Sequence, residues 1–257
     1  MARRGMHHPQ ISLKSDAEIV LMRKAGKIVA LALTRVGDNI RPGITTAELD
    51  AIAEQTIRGL GAIPAFLNYN GFPATACISI NEEVVHGIPG ARQLHEGDIV
   101  GVDLGTIIDG WYGDSAYTFA VGQVSDEAQR LMEIGKEALT RAIAAAQVGN
   151  QVRDIGAAVE QLAKETGVAV VQDLCGHGIG QRLHEDPQVP NYIARGPNIE
   201  LKPGMTLAIE PMLNAGGGRV MLMDDDWTFV TADRSLSVHY EHTVLITNDG
   251  PEILTMR

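Results

Sequence analysis

The chain has 257 residues, a formal net charge of −11 and 45% hydrophobic residues, which is ordinary for a soluble globular protein. The negative charge disfavours an extended surface for nucleic acid or for an anionic membrane. No apolar run is long enough to cross a bilayer, and residues 1–15 are basic but lack the apolar stretch of a signal peptide. Because Cys77 and Cys175 are the only cysteines, we predict a cytoplasmic protein.

Four amphipathic helices are predicted, because apolar residues recur at helical spacing over about 16–36, 46–60, 126–147 and 152–166. Thr45 with Glu48 forms a capping-box pattern at the start of the second helix. Residues 1–15 are predicted to be an N-terminal tail. PAFLNYNGFPATACISI is predicted to be a loop that leads into a strand, and VAVVQDL, MTLAIEPML and SVHYEHTVLIT are predicted to be strands. A small hairpin is predicted around DDDW.

The most informative segment is Gly97–Gly122, in which Asp109-Gly110 separates two runs rich in Ile, Val, Tyr and Phe. This dipeptide predicts a β-hairpin with a two-residue loop. Counting back from the loop, Asp103 and Asp114 share one face as diagonal neighbours, about 7–8 Å apart at the backbone. If that face is buried, the two carboxylates need a cation or a shared proton; otherwise they are two surface aspartates on a solvated hairpin.

The order of elements repeats along the chain. Leu94–Asp103 matches Leu201–Glu210, 107 residues later, and this match aligns Glu210 with Asp103. Pseudo-repeats over about 16–122 and 126–250 predict a single α+β domain over 1–257, with carboxylates meeting where the two halves join. The alternative is a chance similarity between amphipathic segments.

Five residues are candidate metal ligands: Asp103, Asp114, His177, Glu210 and Glu241. Four carboxylates and one imidazole favour a divalent first-row metal over a thiolate zinc site. Four negative charges balance two divalent ions, so a dinuclear centre is predicted. Glu210 lies in the apolar segment TLAIEPML, where an unpaired carboxylate is costly. Taken alone, Glu241 also fits an edge-strand surface residue, and His177 an ordinary loop histidine.

Four motifs together, GDIVGVDLGTIIDGWYGDSAYTF, CGHGIG, LAIEPM and HYEHTVLI, resemble the type I methionine aminopeptidases in their short bacterial form, over about residues 12–254. The resemblance implies the pita-bread fold, an α+β duplication around two divalent ions, with Co, Mn, Fe and Zn all acceptable. It also implies that Asp103 chelates one ion, that Asp114 and Glu241 bridge both, and that His177 and Glu210 hold the other.

The resemblance further implies the residues that contact substrate. His86 in VVHGIP and His184 in RLHEDPQV match the substrate histidines of the family, although either one alone is more often an ordinary loop histidine. An apolar pocket suits the flexible thioether of methionine. The residues that match this pocket are Tyr69, Phe72, Cys77 and Trp227.

Several positions depart from the family pattern or have no match in it. Phe66 stands where a cysteine is common, and Leu183 stands where an aromatic residue is common. These two changes affect pocket shape rather than chemistry. His95, His239 and His242 have no match and are interpreted as structural or surface residues.

The implied reaction is hydrolytic release of an N-terminal methionine that precedes a small second residue. In that reaction one ion would hold the free amine, the other would polarise the carbonyl together with His184, and the pair would activate a water. Glu210 passes a proton to the leaving amine and His86 contacts the departing peptide. The resemblance implies a monomer that acts on peptides emerging from the ribosome. An X-Pro aminopeptidase or prolidase of the same fold, and a non-catalytic relative, remain alternatives.

Overall fold

The computed structural model describes residues 9–196 and 198–256. The four predicted helices are present as α1 (Asp16–Gly37), α2 (Thr46–Gly59), α3 (Asp126–Ala145) and α4 (Val152–Thr166). In these ranges the strands are β1 (Ile63–Pro64), β2 (Ala76–Ile80), β3 (Glu83–Val85), β4 (Ile99–Ile108), β5 (Trp111–Ala120), β6 (Ala169–Val170), β7 (Gly176–Gly178), β8 (Glu185–Val189), β9 (Thr206–Ile209), β10 (Met212–Asn214), β11 (Val220–Leu222), β12 (Phe229–Thr231), β13 (Ser237–His239), β14 (His242–Thr247) and β15 (Gly250–Ile253).

Local hydrogen bonds fix the helix ends. At the start of α2, the Glu48 N–H donates to Thr45 Oγ1 at 3.2 Å, and the Thr45 N–H donates to the Glu48 carboxylate at 2.8 Å. This is the predicted capping box. At the end of α4, Gly167 has a φ of 80°, a left-handed conformation that glycine adopts without strain. The start of α2 and the end of α4 therefore lie where the sequence indicates.

The β4–β5 hairpin has the predicted register. Asp103 pairs with Ala116, and Gly105 pairs with Asp114. The two loop residues have φ values of 51° and 81°, which matches the right-handed twist of the flanking strands. Asp103 and Asp114 consequently lie on the same face of the hairpin, while α1 packs against both of its strands.

Glu210 and Glu241 lie where two paired strands cross from one sheet to another. β9 and β14 pair in the five-stranded sheet β15-β14-β9-β7-β8, whereas β10 and β13 pair in the sheet β13-β10-β6. The prediction of continuous strands through TLAIEPML and SVHYEHTVLIT is wrong, because each segment is interrupted at its glutamate. Pro211 lacks an N–H and restricts the residue before it, which favours the first of these breaks.

Hydrogen bonds join the hairpin to the strand crossing at Glu241. We call this contact, between residues 114–118 and residues 239–243, the seam. The Glu241 N–H donates to the Ala116 carbonyl at 2.9 Å, and Ser115 Oγ donates to the Glu241 carbonyl at 2.8 Å. Thr243 Oγ1 donates to the Asp114 carbonyl at 2.8 Å. The seam therefore fixes the backbones of Asp114 and Glu241 side by side.

Apolar cores lie on both sides of the seam. On one side α1 and α2 pack against β2 and β4, and on the other α3 and α4 pack against β9 and β14. Tyr117 on β5 contacts both cores. Origin by duplication and organisation as a single domain stay predictions. Within the described ranges, no helix has the length and apolar character that a membrane span requires.

Part of the predicted N-terminal tail is packed against the protein. Lys14 is buried, its Nζ lies 2.8 Å from Glu185 Oε2, and its N–H donates to the Gly204 carbonyl at 2.8 Å. The Gln10 N–H donates to Asp186 Oδ2 at 2.9 Å. Residues 10–14 are therefore held against the start of β8 and against Gly204, while residues 1–8, including His7 and His8, lie outside the described residues.

The close approach of α1 to β5 generates a stability prediction. A Cβ atom at Gly113 would lie 2.8 Å from the carbonyl carbon of Ala25, so Gly113→Ala should destabilise the protein by about 1–3 kcal/mol. Gly59 in α2 has no neighbour within 4 Å of such an atom, so Gly59→Ala should stabilise by about 0.5–1 kcal/mol. Urea unfolding monitored by circular dichroism measures both, and equal stability of Gly113→Ala and the parent would contradict this packing.

Candidate metal centre and active site

All eleven site residues predicted from the sequence line one cavity of about 270 Å³. The cavity lies where the β4–β5 hairpin faces the two strand crossings. Among the described residues that line it there is no lysine or arginine. The predicted residues in its wall are Tyr69, Phe72, Cys77, His86, Asp103, Asp114, His177, His184, Glu210, Trp227 and Glu241.

The five candidate ligands come from four parts of the fold and converge on one side of this cavity. The hairpin supplies Asp103 and Asp114, the crossings supply Glu210 and Glu241, and β7 supplies His177. His177 Nε2 lies 3.5 Å from Glu210 Oε1 and 4.0 Å from Asp114 Oδ2. One ligand atom each from Asp114, His177 and Glu241 lies within 4.8 Å of the other two, a spacing that suits a shared metal ion.

The carboxylates of this cluster repel one another in a poorly solvated place. Burial raises the pKa of Asp114 to about 7. Burial, with the charge of Asp114 next in importance, raises the pKa values of Asp103, Glu210 and Glu241 well above their ordinary range. Oδ1 of Asp103, Oδ1 of Asp114 and Oε1 of Glu241 are buried without a hydrogen-bond partner in the described part of the chain. Oxygen atoms in this state fit divalent cations, which would neutralise their charge.

His177 presents a lone pair to the acidic cluster. Its Nδ1 lies 2.9 Å from the carbonyl oxygen of Gly178, and because a carbonyl only accepts, Nδ1 carries the proton. Burial, aided by the neighbouring His184, lowers the pKa of His177 to about 3, so the ring is neutral. Gly176 allows this strand to pack closely, since a Cβ there would lie 2.3 Å from the Ala208 carbonyl oxygen.

Two further histidines lie in the wall of the cavity. His184 Nδ1 is 2.7 Å from the Tyr69 hydroxyl, and its ring centroid is 4.3 Å from that of His177. Burial lowers the pKa of His184, and burial together with His184 lowers the pKa of His86 to about 4. His86 has a φ of 60° and is followed by Gly87, where a Cβ would lie 2.1 Å from the Ile78 carbonyl oxygen. Both rings are therefore neutral hydrogen-bonding groups near pH 7.

The other side of the cavity is apolar. The rings of Phe72 and Trp227 meet edge to face with centroids 5.1 Å apart. Burial and the charge of Asp103 raise the pKa of the Cys77 thiol well above its ordinary value, so this side chain is a neutral, compact group. Phe66 and Leu183, the two departures from the family pattern, also line the cavity and are buried. Such a surface suits a flexible apolar side chain.

His239 was assigned no role from the sequence, yet it lines this cavity. It is 4% exposed, and its Nε2 lies 3.5 Å from Glu210 Oε2. The alternation of side chains along a strand could have identified His239 from the sequence, because His239 lies two residues before Glu241 and so falls on the same face. The same rule places Asp103 and Asp114 on one face of the hairpin. His95 and His242 do not line the cavity, in agreement with the interpretation of both as structural or surface residues.

Comparisons with known proteins identify the class of this site. The profile of Metallopeptidase family M24 matches residues 20–248. The methionine aminopeptidase of Clostridium perfringens is 50% identical over 246 residues, covering 96% of this chain and 99% of that one. The crystal structure of the methionine aminopeptidase from Rickettsia prowazekii superposes with a TM-score of 0.94 at 40% identity, covering 96% of this chain and 100% of that chain.

The chain therefore belongs to metallopeptidase family M24 and has its pita-bread fold, which confirms the predicted fold class. The prolidase from Pyrococcus furiosus shares this fold, with a TM-score of 0.77 and 27% identity, but the chain covers only 65% of that protein. Within the family, the sequence groups with the bacterial methionine aminopeptidases of type I rather than with the prolidases, as the four motifs indicated.

The raised pKa of Asp103 generates a prediction for the protein after metal removal by a chelator. Because burial raises the pKa of Asp103, the folded state keeps a proton that the unfolded chain releases above the ordinary aspartate pKa of 3.8. This stabilisation is complete at low pH and is lost as the pH rises through the pKa of the folded state. Asp103→Asn does not titrate. Its melting temperature relative to the parent should therefore increase between about pH 5 and pH 8 in chelator.

Two controls accompany this measurement. Asp224→Asn removes an exposed carboxylate and should show no such pH trend. With divalent metal present, Asp103→Asn should melt at a lower temperature than the parent, because it lacks a metal ligand. A melting-temperature difference that does not change with pH in chelator would contradict the assigned electrostatics.

Proposed function

We propose that this chain removes the N-terminal methionine from peptides by metal-dependent hydrolysis. The observation that carries the proposal is the cavity itself, which combines four carboxylates, uncompensated by any lysine or arginine among the described residues of its wall, with an apolar compartment. The relatives of similar length named methionine aminopeptidases support the reaction and its substrate class.

Two divalent ions would be held by the five candidate ligands. Asp103 would bind one ion, Asp114 and Glu241 would bind both, and His177 and Glu210 would bind the other. Support comes from the grouped ligand atoms of Asp114, His177 and Glu241 and from the neutral, lone-pair-bearing Nε2 of His177. When bound, the ions supply Lewis acidity for the scissile carbonyl and lower the pKa of a water toward neutrality. Mn, Fe, Co and Zn all accept this ligand set.

The side chains around the ions would handle hydrogen bonds and protons. His184 and His86 are neutral imidazoles, so each can donate to a peptide carbonyl or accept from a peptide N–H. We assign His184 to the scissile carbonyl and His86 to the peptide on the leaving side. Glu210, whose pKa is raised by burial, would carry the proton to the leaving amine.

Specificity would come from the apolar side of the cavity. Tyr69, Phe72, Cys77 and Trp227 would enclose the methionine side chain, with Phe66 and Leu183 completing the wall. Thioether sulfur packs well against aromatic rings, and the edge-to-face pair of Phe72 and Trp227 offers such rings. The second residue of the substrate must then lie close to the histidines, which would favour a small side chain.

The natural substrate would be a nascent protein or short peptide in the cytoplasm, and the enzyme would act as a monomer. The names of the relatives support a peptide substrate. The nascent-chain substrate, the compartment and the monomeric state extend that support by analogy with the family.

The first test measures methionine release from a Met-Ala-Ser peptide after complete chelation and after reloading with Mn, Fe, Co or Zn. We expect activity only with metal, and no comparable cleavage of X-Pro peptides. Glu241→Gln should lose metal content and activity together, whereas Glu127→Gln, an exposed residue on α3, should lose neither. Equal activity in the chelated protein, or a preference for X-Pro peptides, would overturn the proposal.

The second test separates residues that bind the metal from residues that take part in the reaction in another way. His86→Ala should retain its metal but lose kcat by about 10²–10⁴-fold, since the proposed role of His86 is in the reaction. His95→Ala is the matched control, because the side chain of His95 is 77% exposed and outside the cavity. A near-normal kcat for His86→Ala would exclude the role given to it here.

A further inference from the structure

His239 is a buried group in the active cavity that the proposed mechanism does not use. Its Nε2 has no hydrogen-bond partner among the residues that the structure describes. Its backbone is held rigidly by one side chain, since the His239 N–H donates to Thr118 Oγ1 at 3.1 Å and Thr118 Oγ1 donates to the His239 carbonyl at 2.9 Å. The imidazole is therefore placed in the cavity by the seam.

Glu210 lies between two imidazoles. Its Oε1 is 3.5 Å from His177 Nε2, and its Oε2 is 3.5 Å from His239 Nε2. Its carbonyl accepts a hydrogen bond from Asn191 Nδ2 at 3.0 Å, so the main chain at Glu210 is fixed as well. The two oxygens of one carboxylate consequently have different neighbours: Oε1 faces the metal-ligand histidine and Oε2 faces His239.

We propose that His239 is a positioning residue for Glu210: it directs its Nε2–H at Oε2 and holds the carboxylate in one orientation, with Oε1 beside His177. This inference rests on the proposed function, in which Glu210 is a metal ligand that also takes part in the reaction. It gives the two oxygens of the same side chain different partners.

The tautomer follows from the chemistry of the contact. An ionised carboxylate only accepts hydrogen bonds, so an Nε2 lone pair facing Oε2 would repel it, whereas an Nε2–H attracts it. The lone pair of His177 beside Oε1 is compatible with the same carboxylate because a bound cation would lie between them. A separation of 3.5 Å is longer than an ordinary hydrogen bond, and catalytic contacts commonly shorten when the reacting complex forms. Thr118 bonds to both the N–H and the carbonyl of His239, so the backbone that carries the ring is held in place.

Two substitutions test the donor. His239→Leu removes it, and we expect kcat on Met-Ala-Ser to fall about 10–100-fold with KM and metal content unchanged, the usual size of effect for a group that orients a metal ligand. His239→Gln keeps an N–H donor at similar reach and should restore most of kcat. His95→Leu, outside the cavity, is the matched control.

Other kinetic results overturn the inference. If both variants match the parent, His239 positions nothing, and if both are equally impaired, an N–H donor is not what the site needs. A rise in KM at constant kcat assigns His239 to substrate binding, and a loss of metal assigns it to ligation.

A spectroscopic readout keeps the inference testable if His239→Leu does not fold. In the zinc-loaded protein labelled with ¹⁵N-histidine, NMR should show the Nε2–H tautomer for His239, identified by the signals that His239→Gln lacks. In Glu210→Gln these signals should shift. An Nδ1–H tautomer would overturn the inference. Absence of methionine release by the parent enzyme would instead count against the proposed function and leave the tautomer result unaffected.

Discussion

The structure depends on the confinement of four carboxylates in a cavity whose described wall contains no lysine or arginine. Burial raises the pKa values of all four groups, and the charge of Asp114 raises those of the other three further. Three of their oxygens are buried without a partner among the described residues. The histidines of the same cavity do not supply the missing charge, because burial lowers their pKa values and keeps them neutral near pH 7. Compensation must therefore come from outside the chain, either as protons held by the carboxylates or as divalent cations.

The backbone holds the carboxylates in place because the main-chain polar groups around the cluster are themselves hydrogen-bonded. At the seam, the main-chain groups of Asp114 and Glu241 bond to Thr243, Ser115 and Ala116, so the two side chains cannot separate without breaking several buried hydrogen bonds. Apolar cores on both sides resist the same separation. The backbone and the two cores therefore hold the four carboxylates close together in spite of their repulsion. The candidate ligands are thus preorganised for the ions they fit.

The parts of this structure that the sequence predicts well are those set by local contacts. The Asp109-Gly110 turn fixed the hairpin register, and with it the shared face of Asp103 and Asp114, because a two-residue loop leaves one pairing. The interruptions at Glu210 and Glu241 were missed, since they arise from pairing between segments distant in sequence and crossing between sheets. The division of the five candidate ligands between two ions came from family resemblance rather than from periodicity.

The apolar side of the cavity shows how chemistry and specificity are separated in this chain. Relative to the family pattern, Phe66 is larger than the common cysteine and Leu183 is smaller than the common aromatic residue, yet both belong to one packed cluster with Phe72 and Cys77. Opposite changes of size within one cluster offset each other in part, and exchanges that change the total volume least are the ones that packed interiors tolerate best. None of these residues is among the candidate ligands. The shape of the apolar side of the cavity can therefore change while the charge of the candidate ligands stays constant.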